Sequence, residues 1–170
     1  MVKTIKSRCG FCASSRADKS CEVCKEPHCS RCLLTLPTDS FEFIENKPEI
    51  LSHFFYCPRC FDAHVAPAQE AYDETLAKGK EVRWIPKNYR GLVPVQAKAQ
   101  KPVEVKDYAD RDRALLALGF KASLLGFNSL VRAELTGKKL LINGYSKTLW
   151  SGHGVPANLN VVRLDLDSNE

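Results

Sequence analysis

Past Cys60 the chain alternates between two periodicities. Phe61, Val65, Ala68, Tyr72 and Leu76 recur at helical spacing, with Pro67 placed to delay or kink the start and Gly79 suited to a C-terminal cap. This stripe reads as core buttressing the segment before it. Val82-Arg83-Trp84-Ile85 and Tyr89-Arg90-Gly91-Leu92-Val93 read as short strands punctuated by Pro86 and Pro94, and Ala97 to Pro102 as a linker. A strand near Val103-Glu104-Val105 precedes a helix over Tyr108 to Leu125. That helix has Asp107 as N-cap, Asp110 three residues on, an apolar face of Leu115, Leu118, Ala122 and Leu125, and Gly126 as its stop. Ser129 to Leu135 then alternates as a strand, Thr136-Gly137-Lys138-Lys139 reads as a turn, and Leu140-Leu141-Ile142 and Tyr145 to Trp150 as further strands. The order β-α-β-β predicts an α+β layer of one helix on a small antiparallel sheet.

Before that point the organising pattern is of cysteines. All eight lie in the first 60 residues, in four equal spacings: Cys9/Cys12, Cys21/Cys24, Cys29/Cys32 and Cys57/Cys60. A Cys-x-x-Cys turn puts two thiolates on one tight knuckle, and a tetrahedral Zn²⁺ needs two such knuckles, so four knuckles imply two Zn²⁺ per chain. The gaps between knuckles are 8, 4 and 24 residues. Four residues are too few for the second and third to close comfortably on one ion, so the pairing interleaves. Cys9, Cys12, Cys29 and Cys32 form site 1, and Cys21, Cys24, Cys57 and Cys60 form site 2. A disulfide framework would need an oxidising compartment. With every position filled by sulfur, neither ion keeps the open position that metal catalysis requires. His28 and His53 then read as supporting or surface residues, and His64 as lying on a helix face.

This interleaving resembles the cross-brace zinc fingers. The all-cysteine FYVE type is nearest, since the PHD type puts His where this chain has Cys29 and a RING finger wants His nearer the position of Cys24. Phe55, two residues before Cys57, stands where PHD fingers carry tryptophan. The FYVE resemblance implies recognition of a phosphoinositide through a basic motif around the fifth cysteine. Here that stretch is Lys25-Glu26-Pro27-His28-Cys29-Ser30, which matches at His28 and Cys29, keeps a cation at Lys25 and opposes phosphate at Glu26. The motif's Trp-x-x-Asp before the first cysteine is absent. The RING resemblance implies a ubiquitin ligase.

The formal charge of +5 invites an anionic partner. Two tetrathiolate zinc centres carry −2 each, however, which brings the loaded chain to +1. Local charge survives this correction. Between Lys78 and Lys101 seven cations face one acid, Glu81, with aromatics interleaved. Lys80, Arg83, Trp84, Lys87 and Arg90 are therefore candidate nucleic-acid or anion contacts, unless they form only the solvated face of short strands. The segments expected are a double zinc finger over 1–79, a basic connector over 80–102 and an α+β domain over 103–170.

Leu124-Leu125-Gly126-Phe127-Asn128-Ser129-Leu130-Val131 resembles the helix-to-strand turn of the bacterial YbjQ-like family at Gly126, Asn128 and Val131, and Ser151-Gly152-His153-Gly154-Val155-Pro156-Ala157 resembles that family's ending. The resemblance implies a homo-oligomer. The family's metal binding does not carry over, because only His64 and His153 follow Cys60. Asp165 and Asp167 read as a solvated strand face or terminus, and His153, between two glycines, as a loop residue with no assignable nucleophile. No phosphate-binding glycine loop or nucleophile elbow occurs. With no run of roughly 20 apolar residues and no secretory h-region at Met1 to Cys9, the expectation is a cytoplasmic, non-enzymatic adaptor that binds a protein partner. Nucleic acid or anionic lipid are the alternative partners.

Overall fold

The structure is a computed structural model describing residues 8–13, 17–142 and 145–160. The architecture is α+β, and the chain divides into two units, Met1–Tyr72 and Asp73–Glu170. The pair Asp165 and Asp167 lies outside the described residues.

In the first unit every strand is two residues long. β1 (Lys19–Ser20) pairs antiparallel with β2 (Pro27–His28), and β3 (Leu34–Thr35) with β4 (Phe55–Tyr56). Ladders this short do not hold a fold by themselves; each serves to place a cysteine knuckle. A small apolar cluster lies beside them: Leu36, Phe41, Leu51, Tyr56 and Val65 are buried, with Phe61, Ala68 and Tyr72 packed against them. The helical stripe read from the sequence thus faces core through Phe61, Val65, Ala68 and Tyr72. Tyr56 is fully buried, donates its hydroxyl to the Ile50 carbonyl at 2.8 Å, and has its pKa raised by burial.

The helix after the fourth knuckle begins with sulfur as its cap. The Cys57 sulfur accepts from the Cys60 N–H at 3.5 Å, and Pro58 occupies the first position of α1 (Pro58–Cys60), where no N–H is needed. The chain continues through a π-helical stretch, Phe61–Val65, in which the Ala66 N–H bonds the Phe61 carbonyl, and then into α2 (Ala66–Glu81). Pro67 falls directly after this irregular turn. The split between the two units falls inside α2.

The second unit is a five-stranded sheet with one helix, α3 (Arg111–Leu124), against it. Its strands are β5 (Arg83–Pro86), β6 (Val95–Lys98), β7 (Val103–Tyr108), β8 (Ser129–Ile142) and β9 (Tyr145–Leu159), in the order β5-β8-β9-β6, with β7 also on β9. Segment 80–102, read as a connector, contributes two of these strands, and Tyr89 to Val93 is not one of them. The sheet is mixed rather than purely antiparallel. β5 runs parallel to β8, because the chain crosses through β7 and α3 before returning beside it.

Further sequence expectations are corrected here. The helix over 108–125 is shorter: β7 extends to Tyr108, and Asp110, not Asp107, caps α3, its carboxylate accepting from the Arg113 N–H at 2.8 Å. Asp107 instead sits at φ 61 where the β7–β9 register slips by one residue, its N–H on the Ser151 hydroxyl at 3.1 Å. Gly126 does stop α3: its N–H bonds the Ser123 carbonyl at 2.8 Å and the Phe127 N–H reaches the Ala122 carbonyl at 3.0 Å. Thr136-Gly137-Lys138-Lys139 is not a turn. It lies inside β8, and the reversal falls between Ile142 and Tyr145. His153 lies in β9, opposite Glu104 and Glu134, rather than in a loop.

Gly79, expected as a helix stop, has a different duty. α2 runs past it to Glu81. A Cβ on Gly79 would stand 2.9 Å from the Phe120 nitrogen, and one on Gly119 would collide with the Gly79 carbonyl oxygen. The two glycines let the backbones of α2 and α3 touch. The core beside them holds Ala114, Ala117, Leu118, Phe120 and Leu130, each 1% exposed or less.

Candidate metal centres

A backbone hydrogen bond closes each of the four knuckles. In the first, the Ala13 N–H bonds the Cys9 carbonyl at 3.0 Å with Ala13 at φ 56. In the second, Lys25 does the same to Cys21 at 3.0 Å with φ 62. The third closes through the Cys32 N–H on the Cys29 carbonyl, and the fourth through the Phe61 N–H on that of Cys57. Two cross-links then set knuckle against knuckle. The Gly10 N–H bonds the Pro27 carbonyl at 2.9 Å, laying the first knuckle beside the strand that leads into Cys29. The Glu22 N–H bonds the Phe55 carbonyl at 2.9 Å, laying the second beside the strand that leads into Cys57.

The result is two groups of four sulfurs, Cys9/Cys12/Cys29/Cys32 and Cys21/Cys24/Cys57/Cys60, each with all sulfurs within 4.8 Å of one another. Across knuckles, Cys12 Sγ lies 3.7 Å from Cys29 Sγ and Cys24 Sγ lies 3.8 Å from Cys57 Sγ. All eight cysteines are free thiols. Each group could hold a metal ion.

Protons are shared unequally within each group. The Cys9 thiol is drawn down to about 5, chiefly by the N–H groups of Cys12 and Cys29, while Cys32 is pushed up to about 12 by hydrogen bonding to the Cys29 and Cys12 sulfurs. In the second group burial opposes ionisation of Cys21, yet the N–H groups of Cys57, Cys24 and Val23 bring it down to about 6; Cys24 and Cys60 are raised, first by burial. Each group thus sets a depressed thiol beside a raised one. A dication at their centre would let all four ionise.

His28 stands between the groups. Its side chain is buried, with Nδ1 3.8 Å from Cys9 Sγ, and its ring, the Glu26 carboxylate and the Cys24 sulfur lie within 4.8 Å of one another. Nε2 has no hydrogen-bond partner, and Glu26 Oε2 is 4.0 Å away. His53 lies 3.7 Å from a Glu22 carboxylate oxygen, and His64 is exposed on the π-helical stretch. Phe55, at the position compared with the PHD tryptophan, carries the Lys19 ammonium 4.1 Å above its ring.

The candidate anion contacts do not converge on one site. Trp84 and Lys87 line a cleft of about 700 Å³ together with Asn88, Arg111 and Glu134, and Lys87 is already paired with Glu134 at 3.2 Å. Lys80 lines a second hollow with Trp84, Arg83 lines a third with Lys78, and Arg90 is exposed in the turn after β5. Arg111 and Asn88 carry no spacing signal and are visible only in three dimensions. Among the described residues no helix is long and apolar enough to cross a membrane.

No family model, curated protein or solved structure matches this chain, so the cross-brace and YbjQ-like resemblances rest on the residues quoted for them.

Proposed function

We propose that the chain is a non-catalytic adaptor whose first unit folds around two zinc ions, one in each four-cysteine group. The observation that carries this reading is the spacing of the sulfurs. In a tetrahedral tetrathiolate centre with zinc–sulfur bonds of about 2.3 Å, neighbouring sulfurs stand about 3.8 Å apart, and the cross-knuckle separations are 3.7 and 3.8 Å. Four thiolates leave no position for water or substrate, so the role of each ion is to hold the fold. Recognition then falls to the surface, where the finger leaves Phe11 and Phe54 exposed. Multimers of the second unit would add avidity.

Native mass spectrometry of the full-length chain tests the metal and the oligomer together. Two zincs per chain are expected, with more than one subunit per particle; iron, or a mass lowered by disulfide formation, overturns the zinc reading. For the adaptor role, a partner cross-linked to the intact protein should be lost on Phe11→Ser with Phe54→Ser at unchanged zinc content.

A nucleic-acid reading draws on the Trp84 cleft, where an indole and the cations Lys87 and Arg111 meet. It requires affinity for single strands that falls steeply with salt and is lost on Trp84→Ala. At the finger, burial of His28 and the acid at Glu26 weigh against the phosphoinositide site that the FYVE resemblance implies.

A further inference from the structure

The outer edge of β8 is covered only in part. β5 pairs with it from Ser129 to Ala133, and the stretch ends with the Lys87 N–H on the Ala133 carbonyl at 3.1 Å. The chain then turns away, the Tyr89 N–H closing back on the Pro86 carbonyl at 3.1 Å, and among the described residues no strand lies along that edge after Ala133. Successive amides of a strand point to opposite sides, so Leu135, Gly137 and Lys139 turn their N–H and C=O outward as Ala133 does. From Leu135 to Lys139 the open stretch is about 14 Å long at about 3.4 Å per residue. A bare edge of this kind is a template for another strand.

What stands beside the edge selects the strand. Leu135 faces α3: a Cβ on Gly152, its cross-strand partner, would stand 2.8 Å from the Leu135 side chain and 3.0 Å from that of Leu118. On this face Leu135 joins Leu115 and Trp84, all half-buried, in the cleft of about 700 Å³ at the end of β5. Two residues further, Gly137 carries no side chain, and the ring of Trp150 across from it would meet a Cβ there at 3.1 Å. Two further again comes Lys139, while Lys138 extends from the opposite face. Both lysines are exposed, and no acid occurs between Leu135 and Gly152. Along the edge the order is therefore apolar cleft, aromatic ring, paired cations.

We propose that the open edge of β8 takes up an extended acidic segment of a protein partner as a further strand. An apolar side chain beside Leu135 fills the cleft, a second one two residues on lies against Trp150, and acidic side chains at the next two positions meet Lys138 and Lys139. Main-chain bonds to the edge supply affinity, and the alternating side chains supply choice. The lysines that guard the edge against an unrelated strand select an acidic one. A second copy of the chain would bring these lysines together with no acid on the segment to face them. A nucleic acid on Trp84 would find Lys87 already paired with Glu134 and would leave the edge amides unmatched. The site lies wholly in the second unit, so it goes beyond the recognition assigned to the finger and does not depend on zinc.

Fluorescence anisotropy on the full-length protein tests it, with labelled peptide pools of the pattern apolar-Thr-apolar-Glu-Glu made in both chain directions. An acidic pool should bind and slow amide exchange at Leu135, Gly137 and Lys139, and a matched pool carrying Lys-Lys in place of Glu-Glu should not. Lys138→Glu with Lys139→Glu should weaken the acidic pool at least on the order of tenfold and admit the lysine pool. Trp84→Ala should weaken the acidic pool at unchanged circular dichroism. N-methylation of the peptides, which leaves the protein untouched, should abolish binding in one frame of alternate residues and spare it in the other. Failure of both chain directions to bind, equal binding of acidic and lysine pools, or binding indifferent to N-methylation overturns the proposal. So does single-stranded DNA that binds through Trp84 where neither acidic pool does.

Discussion

The two units solve the same problem with different means. The first gathers sulfur: eight thiols in two groups, strands of two residues, and an apolar cluster built on Leu36, Phe41, Leu51, Tyr56 and Val65. The second contains no cysteine and relies on a helix laid over two long strands, with Leu118, Phe120 and Leu130 sealed between them. A segment the size of the first buries too little apolar surface to fold with comfort, and metal held by the sulfur groups would make up the difference. The contrast teaches that the apolar cluster of the first unit is a companion to the sulfur groups and not a substitute for them.

Removing metal should separate the units most sharply. With apparent zinc-binding energies on the order of 10 kcal/mol in comparable fingers, a strong chelator is expected to erase amide protection before Tyr72 while α3, β8 and β9 keep theirs. Hydrogen exchange read by mass spectrometry would show it, and joint loss of both units would break the comparison.

Acid should act on one group before the other. A thiol whose pKa is raised holds its proton until higher pH and competes with metal, whereas a depressed one yields readily. The Cys21 group contains two raised thiols, Cys24 and Cys60, against one, Cys32, in the Cys9 group. As pH falls the Cys21 group should therefore release its ion first, and Cys21→Ser should remove the early step from a metal-release titration with a colorimetric chelator.

A change in the other unit should be invisible to the metal. Leu118→Ala is expected to cost about 2–5 kcal/mol in urea unfolding of the second unit, at unchanged zinc per chain. Asp110→Ala removes the cap of α3 and should cost about 1 kcal/mol by the same assay. Metal loss in either variant would mean that the second unit supports the first.

The sulfur groups were legible because short spacing is a hard constraint: four residues between Cys24 and Cys29 rule out the nested pairing, and the cross-brace resemblance favours interleaving over the sequential one. The stripe from Phe61 to Tyr72 was legible for a similar reason, since its period repeats over several turns. Elements that depend on distant partners were not. Val82 to Ile85 does read as a strand, but nothing local announces that Arg83–Pro86 runs parallel to β8 with Arg83 opposite Ser129, and Val95–Lys98 looks like connector until β9 lies beside it. Thr136-Gly137-Lys138-Lys139 has turn composition but sits in a strand, while Asn143 and Gly144, a strong hairpin dipeptide, stand between the two strands. Gly79 reads as a stop because the approach of Gly119 is invisible in one dimension.

The interleaved order of the knuckles gives the two sulfur groups different histories on the ribosome. The first is complete once Cys32 has emerged, while the second waits for Cys57 and Cys60. The contacts that close them span 17 residues for Cys12 and Cys29 and 33 for Cys24 and Cys57, a near doubling of loop length that costs about 0.6 kcal/mol more in closure entropy. A growing chain can thus gather its first four sulfurs while Cys21 and Cys24 are still unmatched, and those two thiols are the ones a nascent chain exposes longest to wrong partners.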